Sequence, residues 1–173
     1  MHIHCIGQGS PTVVMDAGNN DFSVQWFLVQ PKVAEFTRVC VYDRAGLGWS
    51  APSPFPRTTE TMVKELGTLL TNAKITGPYI LVGHSFGGIN VRAFSQQYRD
   101  QVRGMVLVDS AHEEQVVRVP ALRRVADQAI SQFHTLSFMN AIGLLALSPQ
   151  EIPDRGLQGE ALAQYRAVLA TTR

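Results

Sequence analysis

The chain is poor in charge. Of its 173 residues 17% are Asp, Glu, Lys or Arg, and 15 basic against 14 acidic residues leave a formal net charge of +1. That balance offers no basic face for nucleic acid or an acidic lipid surface. Cysteine is scarce. Cys5 and Cys40 are too few for a disulfide framework or a four-ligand zinc site. Both stand in apolar, strand-like stretches and read as buried free thiols. Long hydrophobic runs are missing: the most apolar late stretch, 141–147, is far too short to span a bilayer. Met1-His2-Ile3-His4 lacks the basic stretch and apolar run of a secretion signal. A reducing cytoplasm is therefore the expected compartment. Repeats and low-complexity blocks are absent too. Disorder is excluded, because 45% of the residues are hydrophobic and a chain of this length buries a core without staples.

What is present is an alternation of short and longer elements. Apolar runs at 12–15, 38–42, 79–82 and 105–108 are rich in Val, Ile and Leu and lack polar alternation, as strands buried on both faces do. Segments of helical length lie between them, at 22–36, 58–73 and 86–98. Thr58 or Thr59 suits the N-cap of the second. Alternating strands and helices predict a mostly parallel sheet with right-handed crossovers. After Ala111 the pattern changes to helical periodicity at 116–133, 137–147 and 160–169, divided by Pro and Gly. The expected organisation is a sheet unit over 1–112 and a helical segment over 113–173.

The strongest chemical signal is Gly83-His84-Ser85-Phe86-Gly87. It fits G-x-S-x-G, a serine on a sharp turn between a strand and a helix. Such a turn strains the serine backbone, so its neighbours two before and two after must be small. Gly83 and Gly87 meet that need, and Gly88 lets the helix pack closely. The serine hydroxyl then projects from the strand end, while the helix start aims N–H groups at an oxyanion. A glycine-rich turn can instead cradle a phosphate with Ser85 as a ligand, but no Walker lysine follows and no G-x-G-x-x-G is present here. A second signal is the small, polar loop after the first run, Asp16-Ala17-Gly18-Asn19-Asn20. It can offer a second oxyanion N–H, from Asn19, beside that of Phe86; an Asx turn capping the next helix is the competing reading. In Tyr42-Asp43-Arg44-Ala45-Gly46-Leu47-Gly48-Trp49-Ser50, one reading pairs Asp43 with Arg44 to pin the loop near the site; the expected role is structural support, with no chemistry assigned.

Together, Asp-Arg-Ala-Gly-Leu-Gly-Trp-Ser at 43–50, Gly-His-Ser-Phe-Gly-Gly at 83–88 and Val-Leu-Val-Asp-Ser-Ala-His at 106–112 resemble the α/β-hydrolase superfamily, in its bacterial esterase, lipase and epoxide-hydrolase-like branch. The resemblance runs from about Met1 to Gln115. It implies Ser85 as nucleophile, the N–H groups of Phe86 and Asn19 as oxyanion hole, and a helical cap after Ala111. It also implies an incomplete fold holding about strands two to six of eight, with the family's usual acid and histidine outside the sequence.

A serine needs a base within hydrogen-bond reach. Of the 5 histidines, His2 and His4 are expected far from the serine, and His84 is expected to be structural. His134 lies in the appendage. His112 follows the strand expected beside that of Ser85, with Asp109 at the strand's end, so a Ser85–His112–Asp109 triad is topologically open. Asp109 and His112 shaping the loop into the cap is the alternative. The expected activity is hydrolysis of small carboxylic esters, probed best with short acyl chains, with no metal or organic cofactor. Two alternatives stand: an inactive remnant serving as a binding module, and a piece of a longer hydrolase. The strand at 102–108 is expected to be an open apolar edge, predicting a homo-oligomer through that edge or an exchanged helical segment.

Overall fold

The structure, a computed structural model, describes residues 1–119, 121, 128, 139, 147, 149–152, 154 and 156–171. They divide into two compact units, Met1–His112 and Glu113–Arg173. The first is built on five strands, β1 (Ile3–Ile6), β2 (Thr12–Asp16), β3 (Val39–Tyr42), β4 (Tyr79–His84) and β5 (Val102–Val108), in the spatial order β1-β3-β2-β4-β5. β3, β2, β4 and β5 run parallel, and β1 runs antiparallel to β3. This is the mostly parallel architecture the sequence pattern predicts. Every residue of β2 and β3 is buried, which explains their unbroken apolar runs.

Helices cover the sheet. α1 is Gln30–Ala34, α2 is Thr59–Asn72 and α3 is Phe86–Gln97. Thr58 caps α2, accepting from the Thr61 N–H at 3.2 Å. Val63, Leu66, Leu69 and Leu70 of α2 join Val91 and Phe94 of α3 in one core with Val14, Cys40 and Leu81 of the sheet. On the other face Trp26 packs with Val13, Met15, Val39 and Val82. The helix expected over 22–36 is broken: a 3-10 turn at Ser23–Trp26 precedes the short α1, which has Pro31 at its start. Proline lacks an N–H and is tolerated only in a helix's first turn, so α1 begins where Pro31 fits.

One expectation is overturned. Cys5 and Cys40 are bonded to each other, and the described cysteines include no free thiol. The antiparallel register sets Cys5 directly opposite Cys40, and a facing cross-strand pair is close enough to bridge. Sequence alone did not show that these two strands are neighbours. Disulfides persist in oxidising surroundings and are rare in the cytosol.

In the second unit, α4 (Gln115–Arg118) and α5 (Gly159–Thr171) are described. α5 includes the helix expected over 160–169. Arg166 of α5 donates to the carbonyls of Ile152, at 3.2 Å, and Gln150, at 3.3 Å. Apart from α4, most of the helices expected over 116–133 and 137–147, with His134, falls outside the described residues. Among the described residues no helix is long and apolar enough to cross a membrane.

Candidate active site

The sheet order places β2 beside β4, with Asp16 opposite Gly83. The chain leaves β2 for β3 on one side and returns for β4 on the other. The crevice beyond such a reversal is where open parallel sheets bind ligands. Ser85 lies there, between the end of β4 and the start of α3, at φ 48° and ψ −119°. That left-handed backbone is costly for a serine and persists only when neighbours enforce it. They do. The Ser85 N–H donates to the Val108 carbonyl at 3.2 Å, and its carbonyl accepts from Gly88 at 3.0 Å and Ala111 at 2.9 Å. A Cβ at position 83 would lie 2.7 Å from the Gly87 carbonyl oxygen. At position 87 it would meet the carbonyls of Asp16 and Ala17, and at position 88 the Ser110 hydroxyl. The Ser85 hydroxyl has no hydrogen-bond partner among the described residues. Phe86 opens α3, so its N–H has no helical partner.

The loop after β2 is held from below. Arg44, at the end of β3, is buried and ion-paired with Asp16, which is buried too. The same guanidinium donates to the carbonyls of Ala17, at 2.7 Å, Gly18 and Asp21. Its charge lies 5.7 Å from the centre of the Phe86 ring, within cation–π range. The Asp16 carboxylate also accepts from Asn90 Nδ2 at 3.0 Å. Burial, and then the Asp16 charge, push the Tyr42 hydroxyl well above its ordinary range. Burial opposes the Arg44 charge, but the Asp16 carboxylate outweighs it and raises the Arg44 pKa. On the loop's other side, the Gly18 N–H donates to Gln25 Oε1 at 2.8 Å, and Gln25 Nε2 meets His84 Nδ1 at 2.6 Å. Asn19 is exposed. It lines a cavity of about 460 Å³ together with Arg44, Leu47, Met62 and Phe86.

Asp43 and Arg44 do not pair with each other, so that reading of the segment is corrected. Successive residues leaving a strand point to opposite faces, so each anchors a different layer. Asp43 accepts from the N–H groups of Ser23, at 2.8 Å, and Trp49, at 3.0 Å, and lies 3.1 Å from His2 Nδ1.

Asp109 and His112 follow β5, on the segment whose Val108 and Ala111 bond the Ser85 backbone. Asp109 has φ 41° and is exposed, as is His112. No hydrogen bond joins Ser85 to either. His84 Nδ1 is engaged by Gln25. Sequence reasoning, which offered Gln25 only as a pocket-lining residue, missed its bridge from Gly18 to His84 and the pairing of Arg44 with Asp16. Two charged residues at the carboxyl ends of adjacent buried strands were the available signal. Among the described residues no three His, Cys, Asp or Glu side chains form a metal site.

The family model for the alpha/beta hydrolase fold matches residues 11–142. An uncharacterised Bacillus subtilis protein, YqjL, is 34% identical over 108 residues, covering 62% of this chain and 43% of its own length. A meta-cleavage product hydrolase from Pseudomonas fluorescens is 26% identical, with a TM-score of 0.57 over 63% of this chain and 41% of its own. The epoxide hydrolase CorEH superposes with a TM-score of 0.71 at 19% identity, over 98% of this chain and 64% of its own. The chain thus spans less than two thirds of the length of each of these proteins.

Proposed function

The chain belongs to the α/β-hydrolase family, and on that premise we propose that it is a serine hydrolase that cleaves carboxylic esters. Ser85 Oγ attacks the ester carbonyl carbon and gives up its proton to a base. The N–H groups of Phe86 and Asn19 hold the resulting oxyanion. Collapse expels the alcohol, which takes the proton from the base, and leaves an acyl-enzyme. Water, deprotonated by the same base, releases the acid. His112 is the base of this reading and Asp109 its orienting acid. His112 follows the Ser85 clamp, one residue beyond Ala111, while the adjacent His84 is held by Gln25. One observation carries the proposal: a serine held at φ 48° at the end of β4, beside the N–H at the start of α3 that has no helical partner.

Hydrolysis of p-nitrophenyl acetate and butyrate by the protein and by Ser85→Ala and His112→Ala is the test. Loss of turnover in both variants supports the full reading. Loss in Ser85→Ala alone moves the base elsewhere. A protein no faster than Ser85→Ala overturns the esterase reading and leaves a binding module. The absence of any hydrogen bond to the Ser85 hydroxyl among the described residues favours that second reading.

We further propose self-association through β5. Met105, Val106, Leu107 and Val108 are 36–50% exposed, and β5 pairs on one side with β4. An open apolar edge is a template for pairing with a second copy. The exchanged helical segment expected as another route lies largely outside the described residues.

A further inference from the structure

We propose that Arg44 is a positioning residue for the oxyanion hole: it takes two successive carbonyls of the loop after β2 and thereby fixes the direction of the Asn19 N–H. This rests on the hydrolase reading above. A trans peptide points its C=O and its N–H in opposite directions. The guanidinium draws the Ala17 carbonyl toward the β3 side, so the Gly18 N–H must point away from it. It does, donating to Gln25 at 2.8 Å. The guanidinium draws the Gly18 carbonyl to the same side, so the Asn19 N–H also turns away. Two successive N–H groups then share one side, as in the anion-binding nests of other loops. Gln25 occupies the first of them. The second makes no hydrogen bond among the described residues and belongs to the residue that shares a cavity with Phe86.

Without that hold, the Gly18–Asn19 peptide can rotate and turn a carbonyl oxygen toward the developing negative charge. Gly18 favours such a rotation, since glycine tolerates the backbone angles on either side. Lysine cannot replace the arginine. It is a point charge and lacks the planar fork that serves Asp16 and two carbonyls together. Gln25 works from the other end of the Ala17–Gly18 peptide and ties it to His84, the residue before the nucleophile.

The test uses Arg44→Lys in the full-length protein, with sites counted by fluorophosphonate labelling of Ser85. Loss of an oxyanion donor lowers turnover by about 10²–10³-fold. We expect kcat per labelled site to fall by about 10²-fold, with KM within about twofold, as for an interaction made only in the transition state. The inhibition constant of a trifluoromethyl ketone, whose adduct carries the oxyanion, rises in parallel. A merely structural role would lower the labelled fraction and leave kcat per labelled site unchanged, and that result overturns the proposal. Gln25→Ala is the second variant should Arg44→Lys not fold. It too is expected to lower kcat per labelled site, and unchanged values refute the arrangement. A crystal structure of either variant is independent of turnover. The Gly18–Asn19 peptide is expected rotated, and an unrotated peptide overturns the proposal even if the parent proves inactive. A parent that neither labels nor turns over refutes the hydrolase reading alone.

Discussion

Opening the Cys5–Cys40 bridge should cost the first unit a large part of its stability. The bonded residues are 35 apart in sequence. Closing a loop of that size in the unfolded chain removes about 4 kcal/mol of conformational freedom by the chain-entropy relation. For a protein this long each kcal/mol moves the melting temperature by about 2–4 °C, so reduction should lower it by about 8–16 °C. The loss should concentrate at β1, an edge strand that pairs with β3 alone. The assay is thermal unfolding followed by circular dichroism, with and without a phosphine reductant, beside the double variant Cys5→Ala/Cys40→Ala. That variant should melt near the reduced parent and ignore the reductant. Thiol titration in denaturant should find none before reduction and two after. Two thiols in the unreduced protein, or a melting temperature indifferent to reduction, would refute the reasoning and restore the expectation of a reducing compartment.

Three further outcomes are expected. Gly88→Ala forces a methyl group onto Ser110 and should destabilise by about 1–3 kcal/mol, with partial recovery in Gly88→Ala/Ser110→Gly; equal melting temperatures for parent and Gly88→Ala would refute the contact. Tyr42 holds its proton more tightly when folded because burial, and then Asp16, raise its pKa. Its contribution is therefore full below the unfolded value of about 10 and is lost as pH rises above it toward the folded value. Tyr42→Phe should flatten the decline in melting temperature between about pH 9 and 11, and an identical slope would contradict this. Val106→Lys should convert a dimer into a monomer by light scattering; a parent that is monomeric at high concentration removes the edge-pairing proposal.

The strands were readable because burial on both faces leaves unbroken Val and Ile runs, and the turn at Ser85 because its glycines have no steric substitute. The segment over 22–36 has helical length but does not form one helix, because Pro31 decides where a helix can start. The disulfide stayed hidden because β1 and β3 are neighbours only through a strand order that no local pattern encodes. Arg44 looked like a partner for Asp43 because sequence adjacency suggests contact, whereas the end of a strand sends adjacent side chains to opposite layers. Its true partner, Asp16, lies 28 residues earlier. The base was not legible, since a histidine's reach depends on loop geometry rather than spacing.

The Arg44–Asp16 pair also governs the order in which the unit can assemble. Leaving one such buried charge without the other costs about 3–5 kcal/mol. A partly folded chain with β2 docked and β3 absent would carry that penalty, and so would the reverse. Asn90, on α3, adds a third segment to the same carboxylate. β2, β3 and α3 should therefore gain and lose structure as one cooperative block. In native-state hydrogen exchange, the amides of Met15, Val41 and Val91 should open together at the highest free energy, while β1 and β5 at the sheet's margins open first.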